Sequence, residues 1–399
     1  VPIPETSTVP TSAAAAVDSG KSDWPGALKV ALYAFFLSRL LIFAVFALSL
    51  GYAEYRADPQ KSAGVVRIFS PGFFQRIPEI AYFGDAGWYL NVAEHGYVKR
   101  PFDTRVQANW AFFPLHPKLW RLLIDIGIPP WLGGMLLANI FFLLALAQIW
   151  RWVRRLKDDE TATRAVLCIA FWPTSYFFSL PHTESLFLLL LSSSLLAMQR
   201  GRWLSATLFA GLCSGTRLVG VLLAPLLWWQ ARGQVGFAKR TGLALFATFG
   251  LLAFMWILWR KTGDPLAFAH IQVAWGRESG HFLEPLQHWY RDPLVFAEPW
   301  NAQWPNLFSL LLGLGAAMWL AWRGYFGFAA FTLFSMALPW NSGSLIAMAR
   351  YASTCVPIFF ALACWLRRPS GFFAWMLASV SLLVLMAATF AAGELFPMT

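Results

Sequence analysis

Charge is what this 399-residue chain has least of: 13% of it is Asp, Glu, Lys or Arg, against 58% hydrophobic. So little charge cannot cover a core of this size in water, which excludes an ordinary soluble globule. Cysteine is scarce as well. Cys168, Cys213, Cys355 and Cys364 lie within or beside apolar runs with no CxxC pair. That excludes a disulfide framework and a zinc site, and leaves them as small core residues. There is no HExxH, Walker A, GxSxG or glycine-rich dinucleotide loop. Zinc proteolysis and ATP-driven transport lose their support accordingly.

What is present is a series of long apolar runs, which read as bundled transmembrane helices. The segments are 27–51, 129–150, 163–180, 184–199, 203–214, 217–231, 241–259, 305–322, 325–340, 351–366 and 371–392. The expected fold is all-α and integral to the membrane, with about eleven segments. Two of them, 203–214 and 217–231, are short and separated only by Gly215-Thr216, so they read as a partly spanning hairpin buried in protein or lining a cavity. Residues 1–26 read as a disordered cytoplasmic N-terminus and 27–399 as a single transmembrane domain. No cleavage site follows the first run, which is expected to remain as a span. The 22 Trp and 36 Phe suit interfacial belts and bundle packing.

The net charge of +11 would point to nucleic acid in a soluble protein. Here many cations sit in short loops beside spans, so topology and contact with anionic lipid explain them, and no nucleic-acid partner is expected. The connections at 151–164, 200–202, 232–240, 323–324 and 367–370 are rich in Lys and Arg, whereas the opposite short ones contribute only Arg217 and Arg350. By the positive-inside rule the first set faces the cytoplasm, with the N-terminus inside and the C-terminus outside. The long segments 52–128 and 260–304 then lie outside. With the short outer turns they hold all six histidines and most of the acids. Within 52–128, two interfacial helices are expected, Asp85 to Gly96 and Pro117 to Gly127.

Several residues on that outer face could carry chemistry. Asp85, in Gly84-Asp85-Ala86-Gly87-Trp88-Tyr89, is either a general base or an N-cap. His95 lies ten residues on, about 15 Å along a straight helix, too far to be its partner. His116 is held between Pro114 and Pro117, which suits binding of phosphate or sugar. In the turn Pro181-His182-Thr183-Glu184, His182 faces a pocket while Thr183 and Glu184 read as a cap and a first-turn acid. Arg217 and Arg350 sit at the outer ends of apolar segments, where a guanidinium is either paired with a ligand phosphate or snorkelling to headgroups. Gly263-Asp264-Pro265-Leu266 reads as a turn and Trp275-Gly276-Arg277-Glu278 as exposed loop. His281 and His288 flank Pro285, which disfavours a helical metal pair.

Together these landmarks carry a resemblance. Gly84-Asp85-Ala86-Gly87-Trp88-Tyr89, Glu94-His95-Gly96-Tyr97, Phe112-Phe113-Pro114-Leu115-His116-Pro117, Pro181-His182-Thr183-Glu184, Gly215-Thr216-Arg217, Gly263-Asp264-Pro265-Leu266 and Ala349-Arg350-Tyr351 resemble, in order, the PIG-V-like mannosyltransferases. The resemblance implies a GT-C bundle with an extracytoplasmic active site, a sugar donor on polyprenyl or dolichyl monophosphate, and a glycolipid or glycan acceptor. It maps the catalytic carboxylate onto Asp85. Gly84 stands where that family's aspartate is usually preceded by Trp, and the Arg-Ser-Asn-Gly motif is replaced by Thr216 to Gly220. These departures point to a prokaryotic relative, in the cell membrane, or in the endoplasmic reticulum membrane if the source is eukaryotic.

The expected reaction is inverting transfer of a sugar, mannose first among the choices. Asp85 is expected as the base, and Arg350, Arg217 and His182 at the donor phosphate. His116, Glu184, Trp88, Tyr89 and Tyr351 are expected substrate contacts. No cofactor is indicated, and a divalent cation is left open without a ligand cluster to hold it. Two rivals stand beside this reading: a non-catalytic lipid- or glycan-binding subunit, and a flippase. The flippase reading needs charges near span centres, whereas the charges read as confined to span ends.

Overall fold

A bilayer offers the backbone no hydrogen-bond partners, so a chain that crosses it must satisfy them within helices. The computed structural model describes residues 23–57, 71–277, 283–291, 303–341 and 345–392, and every regular element among them is helical. The expectation of a disordered N-terminus and the reading of His281 fall outside the described residues. Four helices are long and apolar enough to cross a membrane: Trp24–Ala53, Pro130–Leu156, Gln303–Trp322 and Pro369–Ala392. The bent pair Phe237–Phe246 and Phe249–Thr262 makes a fifth if counted as one span, and shorter apolar helices fill the bundle between them. This is a multi-pass helical membrane protein.

Small residues decide how the first helix packs. Ala27, Ala31, Ala34 and Ser38 recur on one face of Trp24–Ala57 and are fully buried. Phe36 and Leu40 on the other side are 62% and 68% exposed. A narrow stripe of small side chains lets helices approach closely where lipid offers no hydrophobic drive for association. The helix packs against Pro130–Leu156 and Pro369–Ala392, and Pro130–Leu156 packs in turn along Glu184–Gln199.

Four sequence expectations are corrected here. The run 241–259 is not one straight segment, because its two helices meet at 44°. Gly250 presses onto the helix Trp203–Ser214, where a Cβ would lie 2.2 Å from the Gly211 carbonyl oxygen. The run 163–180 stops being α-helical at Ala170, ahead of Pro173, and continues as a 3₁₀ turn over Ser175–Ser179. The run 351–366 is divided into Met348–Ser353 and Val356–Trp365, with Pro357 in the second helix's first turn.

The fourth correction concerns charge. Arg39 lies near the middle of Trp24–Ala57, so charge is not confined to span ends. Its guanidinium donates to the carbonyls of Ala170 and Ser175 at 3.2 and 3.0 Å, and to the hydroxyls of Ser175 and Ser179. It thereby takes up carbonyl groups freed where Pro173 ends the preceding helix. That makes Arg39 a structural cation.

The short hairpin does form. Trp203–Ser214 turns at Gly215-Thr216 and returns through the 3₁₀ segment Leu218–Leu222 and the helix Leu223–Gln230. The return strand of backbone is so close that a Cβ on Gly220 would sit 2.4 Å from the Cys213 carbonyl oxygen. Only glycine fits there. The hairpin brings Arg217 to the N-terminal end of Glu184–Gln199.

The two ends of the bundle differ in polar chemistry. At one, Asp23 gathers Arg151 and Arg200 at 2.8 Å each, with Arg155 at 3.8 Å. At the other, about 24 Å away along the 16-residue helix Glu184–Gln199, lie Glu184 and the arginines that meet it.

Candidate active site

The site is assembled from segments far apart in sequence. Asp85 opens the helix Asp85–His95. The preceding Gly84 takes φ 63, a left-handed conformation that a β-carbon would strain, so the glycine serves the backbone here. Asp85 Oδ2 accepts from Arg350 Nη1 at 2.6 Å. The N-cap reading of Asp85 is corrected, since the cap position is Gly84 and no side chain caps this helix. His95 stands at the other end of the unbroken helix and is exposed.

Arg350 is held by an unusual backbone. Ala347 takes φ 64, which costs a residue with a β-carbon roughly 1–2 kcal/mol. The cost is met two residues on, where both backbone groups of Ala349 are bonded. Its N–H donates to Asn306 Oδ1 at 3.0 Å, and its carbonyl accepts from Trp172 Nε1 at 2.9 Å and the Thr174 hydroxyl at 3.3 Å. These bonds fix the start of Met348–Ser353, and the Arg350 guanidinium then lies 4.5 Å over the Phe177 ring.

Glu184 is the hub. Its side chain is fully buried, and Oε1 accepts from both Arg350 Nε at 2.6 Å and Arg217 Nη1 at 2.5 Å. A continuous line of ion pairs therefore runs Arg217–Glu184–Arg350–Asp85. The expectation that Thr183 caps and Glu184 merely suits a helix end is corrected. Thr183 makes no capping bond, and its hydroxyl lies 3.4 Å from Tyr89 Oη.

Asp85 is the member of the line that reaches solvent, with 43% of its side chain exposed. Partial burial pushes its pKa up, but the Arg350 guanidinium together with neighbouring charges, Arg277 among them, holds it below the ordinary carboxylate value. His182 and His116 are buried, and burial lowers them to about 3 and about 4. Both rings are neutral at pH 7. His182 packs edge-on to Phe177, and His116 edge-on to Tyr89. Neither nitrogen of His116, nor Nδ1 of His182, nor Oε2 of Glu184 has a hydrogen-bond partner among the described residues, though the Pro181 carbonyl lies near His116.

Aromatic rings pack on the Asp85 helix. Trp88 stacks on Phe112 at 5.7 Å and meets Trp275 edge-on at 5.7 Å. The Arg217 guanidinium lies 5.0 Å from the Tyr351 ring centre. Beside these two residues a narrow cleft opens between Phe187, Val219 and Phe331. The segment Trp275-Gly276-Arg277, read from sequence as exposed loop, is corrected: Arg277 is half-buried and faces Tyr351 and Asp85. A cation beside Trp in a polar loop gave no local signal of this. Gly263 to Leu266 does form a turn, in which Asp264 bonds the Leu266 N–H and His270 Nδ1 at 2.9 and 2.6 Å. Among the described residues no group of three or more His, Cys, Asp or Glu is placed to hold a metal ion.

No family model matches the chain. Two curated mammalian proteins do, both called GPI alpha-1,6-mannosyltransferase 2. The Mus musculus protein is 31% identical over 166 residues, covering 37% of this chain and 31% of that protein. The Homo sapiens protein is 27% identical over 245 residues, covering 55% and 47% respectively. Over the matched residues the chain is similar to these two mannosyltransferases. The match spans less than half the length of either mammalian protein. Among solved structures, the chain is similar to the apo oligosaccharyltransferase of Archaeoglobus fulgidus, with TM-score 0.48 and 14% identity over 94% of this chain and 56% of that one. It is also similar to ArnT from Cupriavidus metallidurans bound to undecaprenyl phosphate, with TM-score 0.44 and 16% identity over 78% and 63%.

Proposed function

We propose that the chain is an inverting GT-C glycosyltransferase. It moves a sugar, mannose in the first instance, from a polyprenyl or dolichyl monophosphate to a hydroxyl of a glycolipid or glycan on the extracytoplasmic face of a membrane. The observation that carries this reading is the half-exposed Asp85 carboxylate joined through Arg350 and Glu184 to Arg217 at the lip of an apolar cleft. The relation to mammalian mannosyltransferases supports the choice of sugar.

The chemistry follows from that arrangement. The acceptor oxygen attacks the anomeric carbon, the bond from that carbon to the phosphate oxygen breaks, and the bonding pair leaves on the phosphate. Asp85 takes the hydroxyl proton as the new bond forms. The phosphate leaves as a monoester, one charge more negative than the diester, so it needs cations rather than a general acid.

Arg350 and Arg217 supply fixed positive charge near the base, and Glu184 holds them in place. Arg350 Nη1 bonds Asp85 in the free protein, where it lowers the carboxylate's basicity. A donor phosphate competes for that guanidinium, and Asp85 becomes a stronger base as the pair loosens. His182, neutral at pH 7, serves this site by hydrogen bonding. His116 and Tyr89 pack behind it, and Trp88 and Tyr351 form the mouth where a sugar ring can stack.

The test is to incubate the purified chain with a panel of polyprenyl-phosphate sugars and glycolipid acceptors and to weigh the products. A glycolipid heavier by one hexose supports the reading. Binding of the lipid phosphates without transfer from any of them favours a non-catalytic lipid-binding subunit.

A further inference from the structure

We propose that Arg277 is the residue that binds the charge gained by the donor phosphate as it leaves, an inference that rests on the reading above. Two observations place it there. Trp275 packs edge-on to Trp88 and to Phe112 at 5.7 and 6.0 Å, and Trp88 lies three residues beyond Asp85 on the same helix. Gly276, with φ 66, then turns the chain, and the Arg277 N–H closes the turn on the Gln272 carbonyl at 3.2 Å. The segment is tied a second time where Gln107 Nε2 donates to the Ala274 carbonyl at 3.3 Å. Arg277 is thus carried to the Asp85 helix, where its charge interacts with Tyr351 and Asp85 and its Nη1 donates to Gln272 Oε1 at 3.5 Å.

The second observation is the balance of charge. Arg217 and Arg350 are matched by Glu184 and Asp85, two cations against two carboxylates. Among the described residues Arg277 forms no ion pair, and it adds a third cation beside those two carboxylates. It meets Tyr351 together with Arg217, which approaches the same ring at 5.0 Å. A phosphodiester carries one negative charge and the departing monoester close to two at pH 7. A third arginine beside the base stabilises the product phosphate more than the donor, and so favours the bond-breaking step.

The experiment measures direct binding of polyprenyl monophosphate to the full chain in detergent from pH 5 to 8, for wild type, Arg277→Gln and Arg277→Lys. The second phosphate proton leaves near pH ~6. Wild-type affinity should therefore rise across this range. Arg277→Gln should weaken binding roughly 10- to 100-fold at pH 8, little at pH 5, and so make the rise shallower. Arg277→Lys should keep the rise, because it keeps the charge. In transfer assays, Arg277→Gln should weaken inhibition by polyprenyl monophosphate more than it raises KM for the donor. An equal loss at both pH values, or unchanged binding, overturns the assignment. Failure of the wild type to transfer any sugar overturns the parent reading instead, and the binding profile still decides the role of Arg277.

Discussion

Replacing Glu184 by Gln keeps the shape of the side chain and removes the charge that two arginines share. Oε1 accepts from Arg217 and Arg350 at 2.5 and 2.6 Å, with Glu184 fully buried and the arginine side chains 12% and 9% exposed. A hydrogen bond to a charged group contributes about 1.5–3 kcal/mol, against about 0.5–1.5 for a neutral one, so two weakened bonds cost about 2–3 kcal/mol. The arginines also lose the anion that screens them from each other, which brings the total to about 3–5 kcal/mol, the range found when a buried pair is broken. Thermal unfolding in detergent reads this as a midpoint lowered by several degrees. The double variant Glu184→Gln with Arg217→Gln restores neutrality and should recover about 0.5–3 kcal/mol relative to the sum of the singles. A Glu184→Gln midpoint within about 1 °C of wild type, or a strictly additive double variant, would refute the hub.

Acid should destabilise the protein through its buried imidazoles. His116 and His182 are lowered to about 4 and about 3 from 6.5, so between those values the unfolded chain binds more protons than the folded one. Their contribution is complete above pH 6.5 and falls as the pH drops toward 4, by about 1.4 kcal/mol per pH unit for each ring. His116→Phe should flatten that slope in pH-dependent denaturant melts, and an unchanged slope would count against the neutral buried ring. Ala347→Gly should stabilise by about 1 kcal/mol, because glycine takes the left-handed φ without strain. A lower midpoint for that variant would show that the Ala347 methyl group makes a contact worth more than the strain.

Much of this site is legible in the sequence, and the reason is topological. Once apolar runs and the cation bias sort the loops into two sets, Asp85, His116, His182, Arg217 and Arg350 fall on one side, and the structure brings them to one end of the bundle. The pairings are not legible. Arg350 meets Asp85 across 265 residues and Glu184 across 166, and no local pattern encodes contacts at that separation. Glu184 reads as a first-turn acid because a helix start explains an acid without any arginine. Arg277 reads as loop because the ring contact that draws it in lies on Trp275, two residues earlier. Arg39 is visible as a charge inside an apolar run, but its partners are carbonyls released by Pro173, which helix periodicity does not reveal.

The central claim is that Asp85 is the base of a sugar transfer. The most direct measurement compares wild type with Asp85→Asn, matched for thermal midpoint and for binding of polyprenyl-phosphate mannose, in the rate at which a glycolipid acceptor gains one hexose. The account predicts transfer slowed by about 10²–10⁴-fold with donor affinity kept within a few-fold. Transfer by well-folded Asp85→Asn at the wild-type rate contradicts it.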